Sequence, residues 1–281
     1  MPYPIQFALF HPQVGLTFPL IKERALAAEE LGFHSIWFTD HMWVRGLPQV
    51  DFLESWTLMS AMAAATSRIR IGSLVICNSF RNPAFLAKMA ASLDNISNGR
   101  LELGLGAGWM EEEFNLIGES FANRGKRAIE MVKLMRELWT GETVDFQGEF
   151  YQVSGCKMHP RPVQPTIPVV WGGHSDAAIK RVAKVGDGWH PTQISLAQLE
   201  DGIKKLRQYC EEYGRDPDSV TVFARPGDNY EINTESHARH LELGIDHLIV
   251  DTPIKQEDLE LKLLRERMER VAEICGLQPR K

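Results

Sequence analysis

Cysteine is scarce in this chain of 281 residues: Cys77, Cys156, Cys210 and Cys275 stand far apart, with no C-x-x-C pair among them. That spacing argues against a zinc site and a disulfide framework, and fits a reducing compartment. Positive charge is not in excess. Lys and Arg number 31 against 37 Asp and Glu, a formal net charge of -6, so no concentrated basic face is available for a polyphosphate backbone and nucleic acid is not an expected partner. Long apolar runs are missing too. No stretch approaches the roughly 18 uninterrupted apolar residues of a membrane span, and the opening "MPYPIQFALFHPQ" has neither the basic region nor the apolar core of a signal peptide. A soluble cytoplasmic protein with no membrane partner is the expectation. Neither a G-x-S-x-G elbow nor an H-x-x-x-H pair occurs, which leaves no basis for a serine triad or a metal site.

What is present is a hydrophobic fraction of 44%, ample for one large core, and a single domain over residues 1–281 is expected. Short apolar runs alternate with segments of helical period: "IQFALF", "SIWFTD", "RIRIGSLVI", "LELGLG", "IPVVWG", "DGWHP", "VTVFAR" and "DHLIVD" read as eight strands. Between the first two, "FPLIKERALAAEELGF" places Leu20, Ala25, Ala28 and Leu31 on one stripe, with Pro19 near the start and Gly32 at the stop. Asn82 and Pro83 form an N-cap and first-turn pair for "AFLAKMAASLDNIS". Eight strands each followed by a helix predict an α/β fold, a (β/α)8 TIM barrel, with an open doubly wound sheet as the alternative. Residues 107–167 break the rhythm with a helix, "RGKRAIEMVKLMRELWTG", and a hairpin, "ETVDFQGEFYQV", turning at Gln147-Gly148. They read as an insertion between strands 4 and 5.

In such a barrel the chemistry sits at the carboxyl ends of the strands. That criterion selects Phe10 and His11, Asp40 and His41, Ile76 to Asn78, Gly106 to Trp109, Trp171 to Ser175, Trp189 and His190, Arg225, and Asp251. The run "GLGAGW" is only part of a dinucleotide fingerprint, because Trp109 occupies the place of its last glycine. Gly106 and Gly108 read either as a flat floor for a planar ring or as a tight strand-to-loop turn. Gly172 and Gly173 precede Ser175 and Asp176, which can cap a helix whose free N–H groups suit an anion, or simply cap it. His41 beside Asp40 reads as a proton donor or ring-orienting group, or as a histidine satisfied by a structural carboxylate. Trp43, Phe52, Trp56, Trp109 and Phe114 are candidates for an apolar pocket or for ordinary core. Glu111, Glu112 and Glu113 are expected to include solvated first-turn carboxylates.

Three segments together, "FPLIKERALAAEELGFHSIWFTDH", "TSRIRIGSLVICNSFRNPAFLAKMAASLDNISNGRLELGLGAGW" and "PVVWGGHSDAAIKRVAKVGDGW", resemble the luciferase-like monooxygenase superfamily, and within it the branch of oxidoreductases dependent on coenzyme F420, a 5-deazaflavin. The likeness runs from the first strand to about residue 192. It implies a barrel holding a flavin or deazaflavin ring at its mouth, with a non-prolyl cis peptide somewhere in Leu74 to Ile76. It implies His41, with Asp40, at the reactive face; a cofactor bed of Leu74, Val75, Ile76, Asn78, Gly106 and Gly108; and tail-phosphate contacts from Trp171, Gly172, Gly173, His174, Ser175 and Thr192. Trp43, Trp109, His190 and Arg225 are left as the substrate pocket. Trp109 stands where sugar-phosphate dehydrogenases of this superfamily carry a glutamate, so that substrate is not carried over. The resemblance also implies a homodimer through barrel helices. The leading expectation is hydride transfer between F420 and a small organic substrate. The alternatives are an FMN-dependent, oxygen-using monooxygenase served by a separate flavin or F420 reductase, and a cofactor-binding barrel without turnover.

Overall fold

The computed structural model describes residues 5–10, 12–226, 238–240, 242–251 and 261–278. All eight expected strands form, and all run parallel: β1 (Gln6–Phe10), β2 (Ser35–Phe38), β3 (Arg70–Ser73) with its short continuation β4 (Ile76–Cys77), β5 (Leu101–Gly106), β8 (Val169–Gly172), β9 (Gly188–His190), β10 (Thr221–Ala224) and β11 (His247–Asp251). Their order is β3-β2-β1-β11-β10-β9-β8-β5, and pairing of β3 with β5 closes the ring. The (β/α)8 barrel is therefore the fold, and the open sheet is not.

The helices follow the expected signals. Helix α1 (Phe18–Glu30) has Pro19 in its first turn and buries Ala25 and Ala28, while the side chain of Asn82 accepts the N–H groups of Ala84 and Phe85 to start α3 (Pro83–Ser97). Helix α2 (Ser55–Ala65) packs beside α3. The expected insertion lies between β5 and β8. It comprises α4 (Glu111–Ile117), α5 (Arg124–Trp139) and the antiparallel hairpin β6 (Val144–Gln147) and β7 (Gln152–Cys156). Gln147 pairs with Gln152, so the turn is wider than the expected Gln147-Gly148. The Glu130 carboxylate ties it down by accepting the N–H groups of Glu149, Phe150 and Tyr151. Helices α6 (Asp176–Val185) and α7 (Leu196–Glu212) follow β8 and β9.

Strand parity divides the core into two layers. Successive residues of a strand face opposite sides, so Ala8, Phe10, Trp37, Val170, Phe223 and Ile249 fill the barrel interior while Leu9, Ile36, Phe38, Trp171 and Val250 face the helices. The glycines at every second position of β5 lie on the inner face. A Cβ at Gly104 would fall 1.8 Å from the Ser73 carbonyl oxygen, and one at Gly72 would fall 2.5 Å from the Trp37 ring. Backbone approaches backbone there, and the fully buried Trp37 fills the space beside it. Gly104→Ala is accordingly expected to destabilise the barrel by about 3 kcal/mol or more, measured as a shift of the urea midpoint; a midpoint unchanged from wild type would contradict this account of β5.

Candidate active site

Between β3 and β4 the chain passes through a cis Leu74–Val75 peptide, within the expected Leu74 to Ile76 window. The Leu74 N–H donates to the Phe38 carbonyl at 2.7 Å, and the Val75 side chain turns inward between two glycines. A Cβ at Gly106 would lie 2.4 Å from Val75 Cγ2, and one at Gly172 would lie 2.9 Å from Cγ1. Leu74 and Val75 thereby become one wall of a cavity of about 250 Å³ at the carboxyl ends of the strands. Phe10, Thr39, Asp40, His41, Cys77, Gly108, Trp109, Glu113, His190, Thr192 and Arg225 complete it.

Of the residues picked out by the sequence, Phe10, Asp40, His41, Leu74, Val75, Cys77, Gly108, Trp109, His190, Thr192 and Arg225 meet around this space. Ile76, Asn78 and Trp171 are buried away from it, Trp171 because strand parity turns its indole toward the helices. Gly106 lies behind the wall, its room taken by Val75, and Gly108, at φ +81°, gives way to Phe114 and Cys77. These glycines make room for the protein's own side chains, while Gly108 also lines the cavity. Gly172, Gly173, His174 and Ser175 lie outside the cavity lining, and Ser175 caps α6 by accepting the Ala178 N–H. Trp43 does not line the cavity either. His11 lies outside the described residues, as does the side chain of Asp251.

The two acids near His41 exchange their expected places. Asp40 is buried, takes a bidentate pair from the Arg81 guanidinium at 2.8 and 3.0 Å, and accepts the Cys77 N–H at 3.0 Å. Through these bonds it pins the end of β2 to β4 while it lines the cavity beside His41. His41 Nδ1 instead stands 3.0 and 3.1 Å from the oxygens of Glu113, which also accepts the Met42 N–H at 2.8 Å. Glu111 and Glu112 are exposed, as solvated carboxylates should be, but Glu113 is only 3% exposed. The first turn of α4 had given no sign of this.

The remaining chemistry is set by burial. Trp109 is 55% exposed and presents its edge to the His41 ring at 5.7 Å, with the Arg45 guanidinium 5.2 Å from its centroid. His190 lies 3.4 Å from the Phe223 carbonyl through Nδ1; burial, and then the Arg225 charge, push its pKa down to about 3, so the ring is neutral and Nδ1 carries the donated proton. The Arg225 guanidinium covers the Phe10 ring at 3.9 Å. Burial pushes the Cys77 thiol up to about 12, which removes it as a nucleophile. No group of three or more metal-ligating side chains occurs among the described residues.

Comparison with known proteins decides the family. The model of the luciferase-like monooxygenase family matches residues 6–231. The chain belongs to the luciferase-like monooxygenase family. It is 36% identical over 209 residues to an F420-dependent glucose-6-phosphate dehydrogenase of Amycolatopsis mediterranei, covering 70% of this chain and 62% of that protein. It is 41% identical over 178 residues to the pyrimidine monooxygenase RutA of Allorhizobium ampelinum, covering 59% and 47%. Such matches span about half to six tenths of the relatives' length. The solved structure of an F420-dependent secondary alcohol dehydrogenase in complex with an F420-acetone adduct superposes with a TM-score of 0.80 at 20% identity, over 96% of this chain and 98% of that one. At that identity the likeness is one of fold. Among the described residues no helix of this luciferase-like protein is long and apolar enough to cross a membrane.

Burial of histidines also makes the stability of the barrel depend on pH. At its opposite end His247 is held neutral by burial, with a pKa pushed down to about 4 from 6.5. An unfolded chain would protonate His190 and His247 near 6.5, so between that value and the folded ones the unfolded state binds more protons and stability is lost as pH falls. The melting temperature should drop steadily from pH 7 toward pH 4, on the order of 3 kcal/mol arising from His247 alone. His247→Gln should flatten that slope, and an equally steep slope in the variant would remove His247 as its cause.

Proposed function

We propose that this luciferase-like protein is an oxidoreductase that transfers a hydride between coenzyme F420 and a small organic substrate. The observation that carries the reading is the His41–Glu113 pair beside the wall made by Leu74 and Val75 in the cavity at the barrel mouth. The cavity fits a planar conjugated ring. Its walls are apolar at Phe10, Leu74, Val75 and Trp109, and its polar groups are Thr39, Asp40, His41, Glu113, Thr192, neutral His190 and the Arg225 cation. The names of the F420-dependent relatives support the choice of cofactor. When bound, the deazaflavin supplies a ring carbon that accepts or gives a hydride.

The chain's own residues orient and protonate. With the Glu113 carboxylate as acceptor, Nδ1 of His41 is the donor, which leaves Nε2 as the atom that exchanges a proton with substrate. The Met42 N–H holds the Glu113 carboxylate in place for that task. Trp109 stands edge-on to the imidazole and limits access of water, and its indole favours an apolar or aromatic substrate over a sugar phosphate. Neutral His190 donates to backbone and serves as wall.

The likeness to the pyrimidine monooxygenase supports a second reading, an FMN-dependent enzyme that uses oxygen and a separate reductase. Titration of the purified protein with F420 and with FMN, followed by cofactor fluorescence, distinguishes them. Tight binding of F420 with little affinity for FMN is expected, and the reverse preference would overturn the hydride-transfer reading. With cofactor and a turned-over substrate in hand, His41→Ala should lower kcat roughly 10²- to 10⁴-fold while cofactor Kd stays within about threefold. Undiminished turnover would remove His41 from the chemistry.

We also infer a homodimer through barrel helices. Phe85 and Ile96 of α3 are 62% and 55% exposed, a cost that a partner copy would relieve. Light scattering should give twice the chain mass of 31.8 kDa for wild type and a shift to monomer for Phe85→Glu; a monomeric wild type would refute this.

A further inference from the structure

Two arginines beside the cavity have no part in the account so far. Arg124, the first residue of α5, donates through Nε to the carbonyl of cavity-lining Gly108 at 3.0 Å and lays its guanidinium 3.7 Å from the Phe121 ring centroid. Arg181, on α6, reaches back across the start of α5, where a Cβ at Gly125 would fall 2.6 Å from its Nη2. Its guanidinium covers the Trp171 ring at 5.5 Å, one residue before the Gly172–Gly173 pair, and its Nε is buried without a hydrogen-bond partner. The two cations thus bridge the cavity rim and the loop that opens α6.

The two cations differ in their partners from several other arginines of the barrel. Arg70, Arg81, Arg127 and Arg136 are each paired with a carboxylate. Among the described residues neither Arg124 nor Arg181 is in an ion pair, and Arg181 is held below the ordinary arginine value by burial and by the charge of Arg124. Two like charges held close together at a half-buried site repel each other, and an anion between them relieves that repulsion. Guanidinium forks match the oxygens of phosphate and carboxylate groups.

We propose that Arg124 and Arg181 form an anion-binding cleft that takes the acidic tail of the cofactor, its phosphodiester and the glutamate carboxylates beyond. This inference rests on the deazaflavin reading above. It adds a reason for F420 to be preferred, because FMN ends at its phosphate.

The test compares intact F420 with the tail-less deazaflavin riboside in equilibrium fluorescence titrations of wild type, Arg124→Met and Arg181→Met. Each substitution should weaken intact F420 roughly tenfold or more, the range of one charge-assisted hydrogen bond, and should leave riboside affinity within about twofold. Inorganic pyrophosphate should compete with intact F420 on wild type and not with the riboside, a readout that needs no variant. Gly125→Val, which would push Arg181 aside without changing charge, should reproduce the selective loss. Equal weakening of both ligands, or unchanged affinity for intact F420, would overturn the cleft. If wild type binds both forms equally well, the cofactor reading stands and only the tail assignment falls; if it binds neither, the cofactor reading itself falls.

Discussion

Val75 lies between Gly106 and Gly172, and the mouth of the barrel is arranged around that contact. Two strands give up their side chains at matching heights so that a residue from a third can turn inward. The cis Leu74–Val75 peptide sits at the same point, where strand β3 stops and β4 resumes beside β5. Had either glycine carried a Cβ, Val75 would be displaced and the wall of the cavity with it. The same economy of space operates one layer deeper, where Gly72 and Gly104 make way for Trp37 and for the Ser73 backbone.

On this rigid base two acidic groups take different roles according to their partners. Asp40 is saturated by Arg81 and the Cys77 N–H, and links adjacent strand ends. Glu113, reached from the insertion after β5, accepts from Met42 and faces the imidazole of His41. The insertion is therefore part of the site, since its first helix supplies the carboxylate and its Trp109 approach covers the histidine. A barrel mouth assembled in this way sets His41 and Glu113 beside the apolar surface of Phe10, Leu74 and Val75, with neutral His190 and Arg225 also lining the space. Arg124 and Arg181 extend that arrangement outward, placing next to the rim two cations that have no acid partner among the described residues.

The fold was legible because its signals are local and repeated. Apolar runs spaced by helices, Pro19 and Asn82-Pro83 at helix starts, and the alternation in "LELGLG" all persist in the structure with little change. The candidate site was legible in part. His41, Trp109, His190 and Arg225 were found from their positions at strand ends. Asn78 and Gly106, which the resemblance put in the cofactor bed, and Trp171, which it put at the tail phosphate, do not line the cavity; for Trp171 the reason is that being near a strand end does not say which face a side chain takes.

Order and type of elements, the parity of inward and outward residues, and the glycine positions were determined by the sequence itself, since each depends on neighbours a few residues away. Which carboxylate serves His41 was decided only by the tertiary structure. Glu113 lies 72 residues from His41 and becomes its partner because the ring closes β3 against β5 and brings α4 over the end of β2. Asp40 is adjacent in sequence, but Arg81 takes both of its oxygens. Hydrogen bonding depends on distance and direction in space, and a linear pattern records neither.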